Sequence, residues 1–116
     1  MYINLPFKTL GIKHTKKVDI VFNLGTLEDI CKDANIEFYE VGDYIKSNGV
    51  MFSMLLMYHG YMAGCKYNKV KPKYTMEHVK IWVNNITAME QAKILTLIEG
   101  MFDIMNNTKA DSKKKA

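Results

Sequence analysis

The most apolar segment of the chain runs from Val50 to Cys65 and contains no Asp, Glu, Lys or Arg. On a helix, its apolar side chains occupy almost every side and not a single stripe, which is typical of a helix covered by other parts of a protein. The segment is too short for a membrane span, which needs roughly 20 apolar residues. It therefore predicts a central helix, covered either by its own domain alone or partly by a second polypeptide.

Methionine and tyrosine side chains give this predicted helix an adaptable surface, because methionine fills irregular gaps and accepts apolar partners. The residues that we predict to contact a partner are Met51, Met54, Tyr58, Tyr61 and Met62. Gly60 and Gly64 stand four residues apart on the same helix, where the lack of a side chain lets another backbone approach closely.

Before the helical part of the chain, apolar residues recur at every second position. In Lys17 to Asn23, the residues Val18, Ile20 and Phe22 alternate with others, which predicts a β-strand. We expect the preceding segment to pair with it across a polar turn at Lys13–Lys16. The expected N-terminal element is therefore a short hairpin, or two loosely paired strands.

Helical spacing of apolar residues dominates the remaining chain. Thr26 is the expected N-cap of a helix over 26–34 that ends near Asn35. Residues 36–47 are expected to form a second short helix, or a loop followed by a helix. Thr75 is expected to cap a helix that reaches about residue 86. Thr87 and Glu90 form a capping-box pattern at the start of a last helix over about 88–105.

The predicted fold class is thus mainly α: a short N-terminal β-hairpin or strand, then four to five helices around one core. A chain of 116 residues is long enough for one domain with one core. We assign residues 1–108 to this single helical domain and 109–116 to a disordered lysine-rich tail, because apolar periodicity ends at Asn106.

Charge separates the tail from the body. The net charge is +4, but without residues 109–116 twelve lysines face eleven acidic residues, so the body is nearly neutral. The chain has no arginine, the residue that makes bidentate contacts to guanine and phosphate, which argues against a sequence-specific DNA reader. Cys31 and Cys65 lie among apolar residues without a CxxC pattern. We interpret them as free, buried thiols in a reducing compartment, although a disulfide between them stays open.

No catalytic or cofactor motif is present. His14, His59 and His78 are far apart, none has a ligand at metal-binding spacing, and His59 is expected to be a hydrogen-bonded core or interface residue. Nucleophile-elbow, zinc-protease and phosphate-loop patterns are absent. We therefore predict a protein that is not an enzyme, with no catalytic, metal-binding or cofactor-binding residues. The N-terminus lacks the pattern of a signal peptide, so we expect a cytoplasmic protein without membrane association.

The loop from Lys66 to Tyr74 allows a second hypothesis. Its lysines at 66, 69, 71 and 73 can contact phosphates, and Tyr67 and Tyr74 can stack on bases. The alternative is a solvated loop without a ligand, which is the commoner case for such a run of charges. A small lysine-dependent nucleic-acid-binding regulator is therefore the alternative function.

The order of these elements resembles the tail assembly chaperones of long-tailed bacteriophages or prophages. The similar features are a strand that leads through Phe22–Leu27 (FNLGTL) into an acidic helix, a short second helical segment, and an apolar helix with a His59-Gly60-Tyr61 step. A helix that starts with Thr75-x-Glu77 follows. The resemblance covers residues 17 to about 103, and its motifs are short.

This resemblance implies a small non-catalytic protein of the host cell cytoplasm that acts during virion assembly. Members of the family bind the tape measure protein, a long helical client, and keep it soluble until the tail tube polymerises. They often self-associate, so a homo-oligomer is expected. The residue pattern is compatible with this function, since grooves lined by methionine and aromatic side chains accept amphipathic helices.

Overall fold

The structure of the protein is a computed structural model. It describes the backbone of residues 1–115 and the side chains of most residues up to 100 and of Asp103; the side chains of Lys8 and Thr9 lie outside the description. The elements, in chain order, are β1 (Tyr2–Thr9), β2 (Ile12–Asp19), α1 (Leu24–Ala34), a 3-10 turn (Phe38–Glu40), α2 (Val41–Ser47), α3 (Gly49–Tyr67), α4 (Met76–Asn85) and α5 (Ala88–Lys115). This confirms the predicted class, a hairpin followed by helices.

The two strands form an antiparallel hairpin in which Tyr2 lies opposite Asp19 and Thr9 opposite Ile12. The turn consists of Leu10 and Gly11, whose φ angles of 52° and 81° are both positive. Positive φ at both central residues is the property of the type I′ turn, which matches the twist of paired strands. The turn that we predicted at Lys13–Lys16 was therefore wrong, and so was the strand range Lys17–Asn23. The lysine-rich segment is itself the second strand, because its polar residues face solvent.

Helix α1 starts two residues earlier than predicted. Asn23, not Thr26, is the N-cap, and its side-chain oxygen accepts a hydrogen bond from the Thr26 N–H at 3.0 Å. The Thr26 hydroxyl is buried and donates to the Val21 carbonyl at 3.1 Å, which ties the helix to the segment before it. The predicted end is confirmed, since Asn35 closes the helix in the left-handed region with φ of 56°.

The last helix is longer than predicted. Helical backbone continues past residue 105 to Lys115, where the sequence had predicted a disordered tail over 109–116. Lysine and alanine are good helix formers, and the segment has no glycine or proline after Gly100 that would end the helix. The domain boundary at residue 108 stays a prediction.

Helix α3 lies at the centre of the fold, and α1, α2, α4 and β2 all pack on it. Its residues Phe52, Leu56 and Met57 are fully buried. Gly60 and Gly64 face the segment that joins β2 to α1. A Cβ at Gly60 would lie 2.5 Å from Cγ2 of Ile20, and one at Gly64 would collide with the Asp19 carbonyl. The small-residue strip therefore receives a backbone, as predicted, but that of a strand end and not of a second helix.

One buried carboxylate joins the hairpin to α5. Glu90 is 3% exposed, and it accepts hydrogen bonds from the Asn4 backbone N–H at 2.8 Å and from Lys93 Nζ at 3.1 Å. Thr87 accepts the Glu90 N–H at 3.3 Å, which is half of the predicted capping box. Burial acts to raise the pKa of Glu90, but the hydrogen bonds from Asn4 and Lys93 outweigh it, so the pKa is lowered. The charged form of Glu90 therefore stabilises the folded state.

We predict that Gly64→Ala destabilises the protein by about 1–3 kcal/mol or more, because the new methyl group must displace the backbone at Asp19. Gly100→Ala is the matched control, since nothing lies within 4 Å of a Cβ there. The control is expected to be neutral or to stabilise by up to about 1 kcal/mol through helix propensity. Urea unfolding measures both, and equal effects of the two variants would contradict the close contact.

The lowered pKa of Glu90 predicts a pH dependence of stability. Its contribution is complete above the unfolded pKa of about 4.5 and is lost as the pH falls through the lower folded value. Glu90→Gln is expected to lower the free energy of unfolding at pH 7 by about 1.5–3 kcal/mol, the range for a hydrogen bond to a charged group. Below about pH 5 the difference between variant and wild type should shrink. Urea unfolding from pH 3 to 7 tests this, with Glu77→Gln, at a carboxylate 81% exposed, as the control.

Candidate functional site

The five residues that we predicted to contact a partner differ in their exposure to solvent. Met51 is 46% exposed, and Met54, Tyr58 and Met62 are half-buried along the same side of α3. Tyr61 is only 5% exposed. Four of the five thus keep some surface, and their contact with a partner stays a prediction, while Tyr61 belongs to the core.

Tyr61 has a structural task that explains its burial. Its hydroxyl oxygen accepts hydrogen bonds from the backbone N–H groups of Lys73 at 2.7 Å and Tyr74 at 3.2 Å. Its ring packs against those of Tyr74 and Trp82, with centroids 5.5 and 5.8 Å away. Burial raises the pKa of Tyr61, helped by the neighbouring Cys65 and opposed by the two backbone donors. Tyr61 therefore holds the loop after α3 against the core.

A groove of about 640 Å³ lies between the start of α1 and the end of α3. Its apolar lining consists of Val21, Met62, Ala63, Tyr67, Val70 and Pro72. Tyr67 and Val70 are 78% and 57% exposed. Asp29 on α1 and Lys66 on α3 contribute opposite charges from opposite walls. The groove is thus an apolar trough with one charged residue on each side.

Met62 is the member of the predicted contact set that lines this groove. Sequence reasoning missed Val21 because it was assigned to the predicted strand over 17–23, whereas it lies after the end of β2. It missed Val70 and Pro72 because they lie in a loop without periodicity. An available signal was the pair of apolar residues Val70 and Pro72 within a loop otherwise dominated by lysine. Apolar residues in an exposed loop are often part of a contact surface.

The histidines make local or inter-helix hydrogen bonds, and both cysteines are buried. His59 Nε2 lies 2.8 Å from Asp33 Oδ2, so it links α3 to α1, which agrees with a hydrogen-bonded histidine. His78 accepts the Thr75 N–H and so caps α4. Cys31 and Cys65 are free and buried, as predicted. Within the side chains that the structure describes, no three His, Cys, Asp or Glu residues lie close enough to hold a metal ion.

The first part of the basic loop lines the groove, and its later lysines border a second pocket. Lys71 and Lys73 lie across a pocket of about 290 Å³ from Lys16 and Lys17 of β2. Tyr74, one of the two residues predicted to stack on bases, packs between Phe7 and Trp82 at centroid distances of 5.0 and 5.3 Å. For the nucleic-acid-binding hypothesis, the loop lysines remain candidates for phosphate contacts. Of the two tyrosines proposed to stack on bases, only Tyr67 is exposed.

Comparison of the chain with protein-family models, curated proteins and solved structures gave no match. None of the described helices is both long enough and apolar enough to span a membrane.

We predict that Tyr61→Phe destabilises the protein by about 1–3 kcal/mol, because the N–H groups of Lys73 and Tyr74 lose their acceptor. Tyr58→Phe is the control, since Tyr58 is half-buried on the same helix and makes no hydrogen bond within the described residues. Thermal unfolding measures the stability, and amide hydrogen exchange at residues 73 and 74 should accelerate only in Tyr61→Phe. Equal stability of the two variants would contradict the role of the hydroxyl group.

Proposed function

We propose that this protein is a non-catalytic assembly chaperone that binds an amphipathic helix of a client protein in the groove between α1 and α3. The observation that carries the proposal is the groove itself, an apolar trough of about 640 Å³ lined by Met62, Tyr67 and Val70. Flexible methionine and exposed aromatic side chains suit the apolar stripe of a helix.

The charges beside the groove support a helical client with a polar flank on each side. Asp29 and Lys66 stand on opposite walls, so a client helix with lysine along one flank and glutamate along the other finds a complementary charge on both sides. Charge complementarity of this kind sets orientation more than affinity.

The resemblance of the sequence to phage tail assembly chaperones points to the tape measure protein as the client. That protein must stay soluble as a long helical chain before the tail forms, and a chaperone that binds exposed apolar stripes prevents their aggregation. The proposal includes self-association of the chaperone and action in the cytoplasm of the host cell.

The test is co-expression with the tape measure protein of the same genome, which should become soluble only when this protein is present. Val70→Glu places a charge in the groove and should lower the soluble fraction of the client several-fold, because burial of an unpaired charge is unfavourable. Val50→Glu is the matched control, since Val50 is similarly exposed but lies about 18 Å from Met62 along α3.

Either of two results would contradict this assignment. A client that stays insoluble with wild-type protein would refute the chaperone function. A larger loss in Val50→Glu than in Val70→Glu would move the contact to the Met51 end of α3. Circular dichroism of both variants checks that the fold is intact.

A further inference from the structure

The two outer edges of the hairpin differ in what covers them. On β1, the Asn4 N–H points away from β2 and donates to Glu90 at 2.8 Å, and Pro6 two residues later has no N–H to offer. A proline and a capped N–H both prevent another strand from pairing at that edge. The β1 edge is therefore closed.

The pairing pattern shows which groups of β2 point outward. Met1 and Ile20 exchange both backbone hydrogen bonds, at 2.8 and 3.0 Å. Bonded pairs alternate along an antiparallel ladder, so the strand register directs the N–H and C=O groups of Lys13, Thr15, Lys17 and Asp19 away from β1.

Only one end of the β2 edge is covered. From Asp19 onward α3 closes it, because the Asp19 carbonyl lies against Gly64 and the Val21 N–H bonds the Gly60 carbonyl at 3.0 Å. Lys13, Thr15 and Lys17 are exposed, and none of their N–H groups has a hydrogen-bond partner within the described part of the chain. This leaves a short open edge that can pair with one more extended segment.

The charges around the open edge are positive. Lys16 and Lys17 of β2 face Lys71 and Lys73 across the pocket of about 290 Å³. Asp19 is the acidic residue of that pocket, and it is already paired, by Oδ1 with the N-terminal ammonium at 3.3 Å and by Oδ2 with the Asn68 amide at 2.9 Å. The acidic residue of the pocket is thus already engaged, and the lysines lack a free counter-charge there.

The positive charges determine which kind of segment can pair with the open edge of β2. A second copy that paired with the same edge, antiparallel and centred on Thr15, would place Lys13 opposite Lys17 of the other copy. Like charges directly opposite destabilise a strand pair, whereas opposite charges stabilise it. We propose that the open edge of β2 binds an extended acidic segment of another protein, which adds to the hairpin as a third strand. The pocket beside this edge adjoins the groove, with which it shares Cys65 and Val70, but the proposal does not depend on the chaperone function.

The test uses the full-length protein and a short synthetic peptide that alternates Glu with Val. Binding is measured by fluorescence anisotropy, and the amides of Lys13, Thr15 and Lys17 are followed by NMR and hydrogen exchange. These three amides should be protected about tenfold or more when the peptide is bound, because pairing takes them out of exchange with water. A peptide of the same sequence, N-methylated at the amides that face β2, should bind at least about tenfold more weakly, since it cannot form the ladder.

Charge variants give the second line of evidence. Lys13→Glu combined with Lys17→Glu should abolish binding of the acidic peptide. The matched control is Lys46→Glu combined with Lys80→Glu, which reverses two exposed lysines on α2 and α4 and should bind as wild type does.

Two outcomes would overturn the proposal. Equal binding of the methylated and unmethylated peptides would show that the lysines attract anions without strand addition. Tighter binding of a short single-stranded DNA than of the peptide, with the three amides unprotected, would assign the patch to nucleic acid.

Discussion

The backbone of Asp19 to Val21 lies on α3 at Gly60 and Gly64, where that helix has no side chain. The Val21 N–H bonds the Gly60 carbonyl at 3.0 Å, and the Asp19 carbonyl lies directly against Gly64. Since this segment connects the hairpin to α1, its position on α3 fixes both elements relative to the central helix. The same contact closes one end of the β2 edge and sets the α1 wall of the apolar groove. Both candidate binding surfaces therefore depend on these two glycines, of which Gly64 also lines the pocket beside the open edge.

Local sequence signals predicted the elements whose ends are decided locally. Asn35 ends α1 in the left-handed region, and α2 ends at Ser47, both as expected. The hairpin was misplaced because its turn was sought in the polar run Lys13–Lys16. Gly11 carried the correct signal, but Leu10 also has a positive φ, which a leucine rarely adopts and which no local pattern announces. The pairing of β2 with β1 imposes the positive φ on Leu10.

The candidate site was less predictable because it depends on contacts between distant parts of the chain. Composition placed Tyr61 with the contact residues, since tyrosine is common at interfaces. Its burial follows from the return of the loop at Lys73 and Tyr74, which a helical wheel does not contain. Likewise, Val21 and Val70 become neighbours only after α1 has packed on α3. Periodicity identifies the covered side of one helix, but not a groove formed by two helices and a loop.

The burial of α3 also changes how a client would be held under the proposed function. Because the chain covers most of this helix itself, the apolar surface left for a partner is the groove at one end and the partly exposed row of Met51, Met54 and Tyr58. A groove of this size accommodates a few side chains of a client helix, so a single copy would bind weakly. Weak single sites suit an assembly chaperone, which has to release its client when polymerisation begins. A long client offers many apolar segments, and an oligomeric chaperone would engage several of them at high effective concentration. Self-association would then be a requirement of the mechanism, because several shallow grooves that bind one client together give tight but reversible binding.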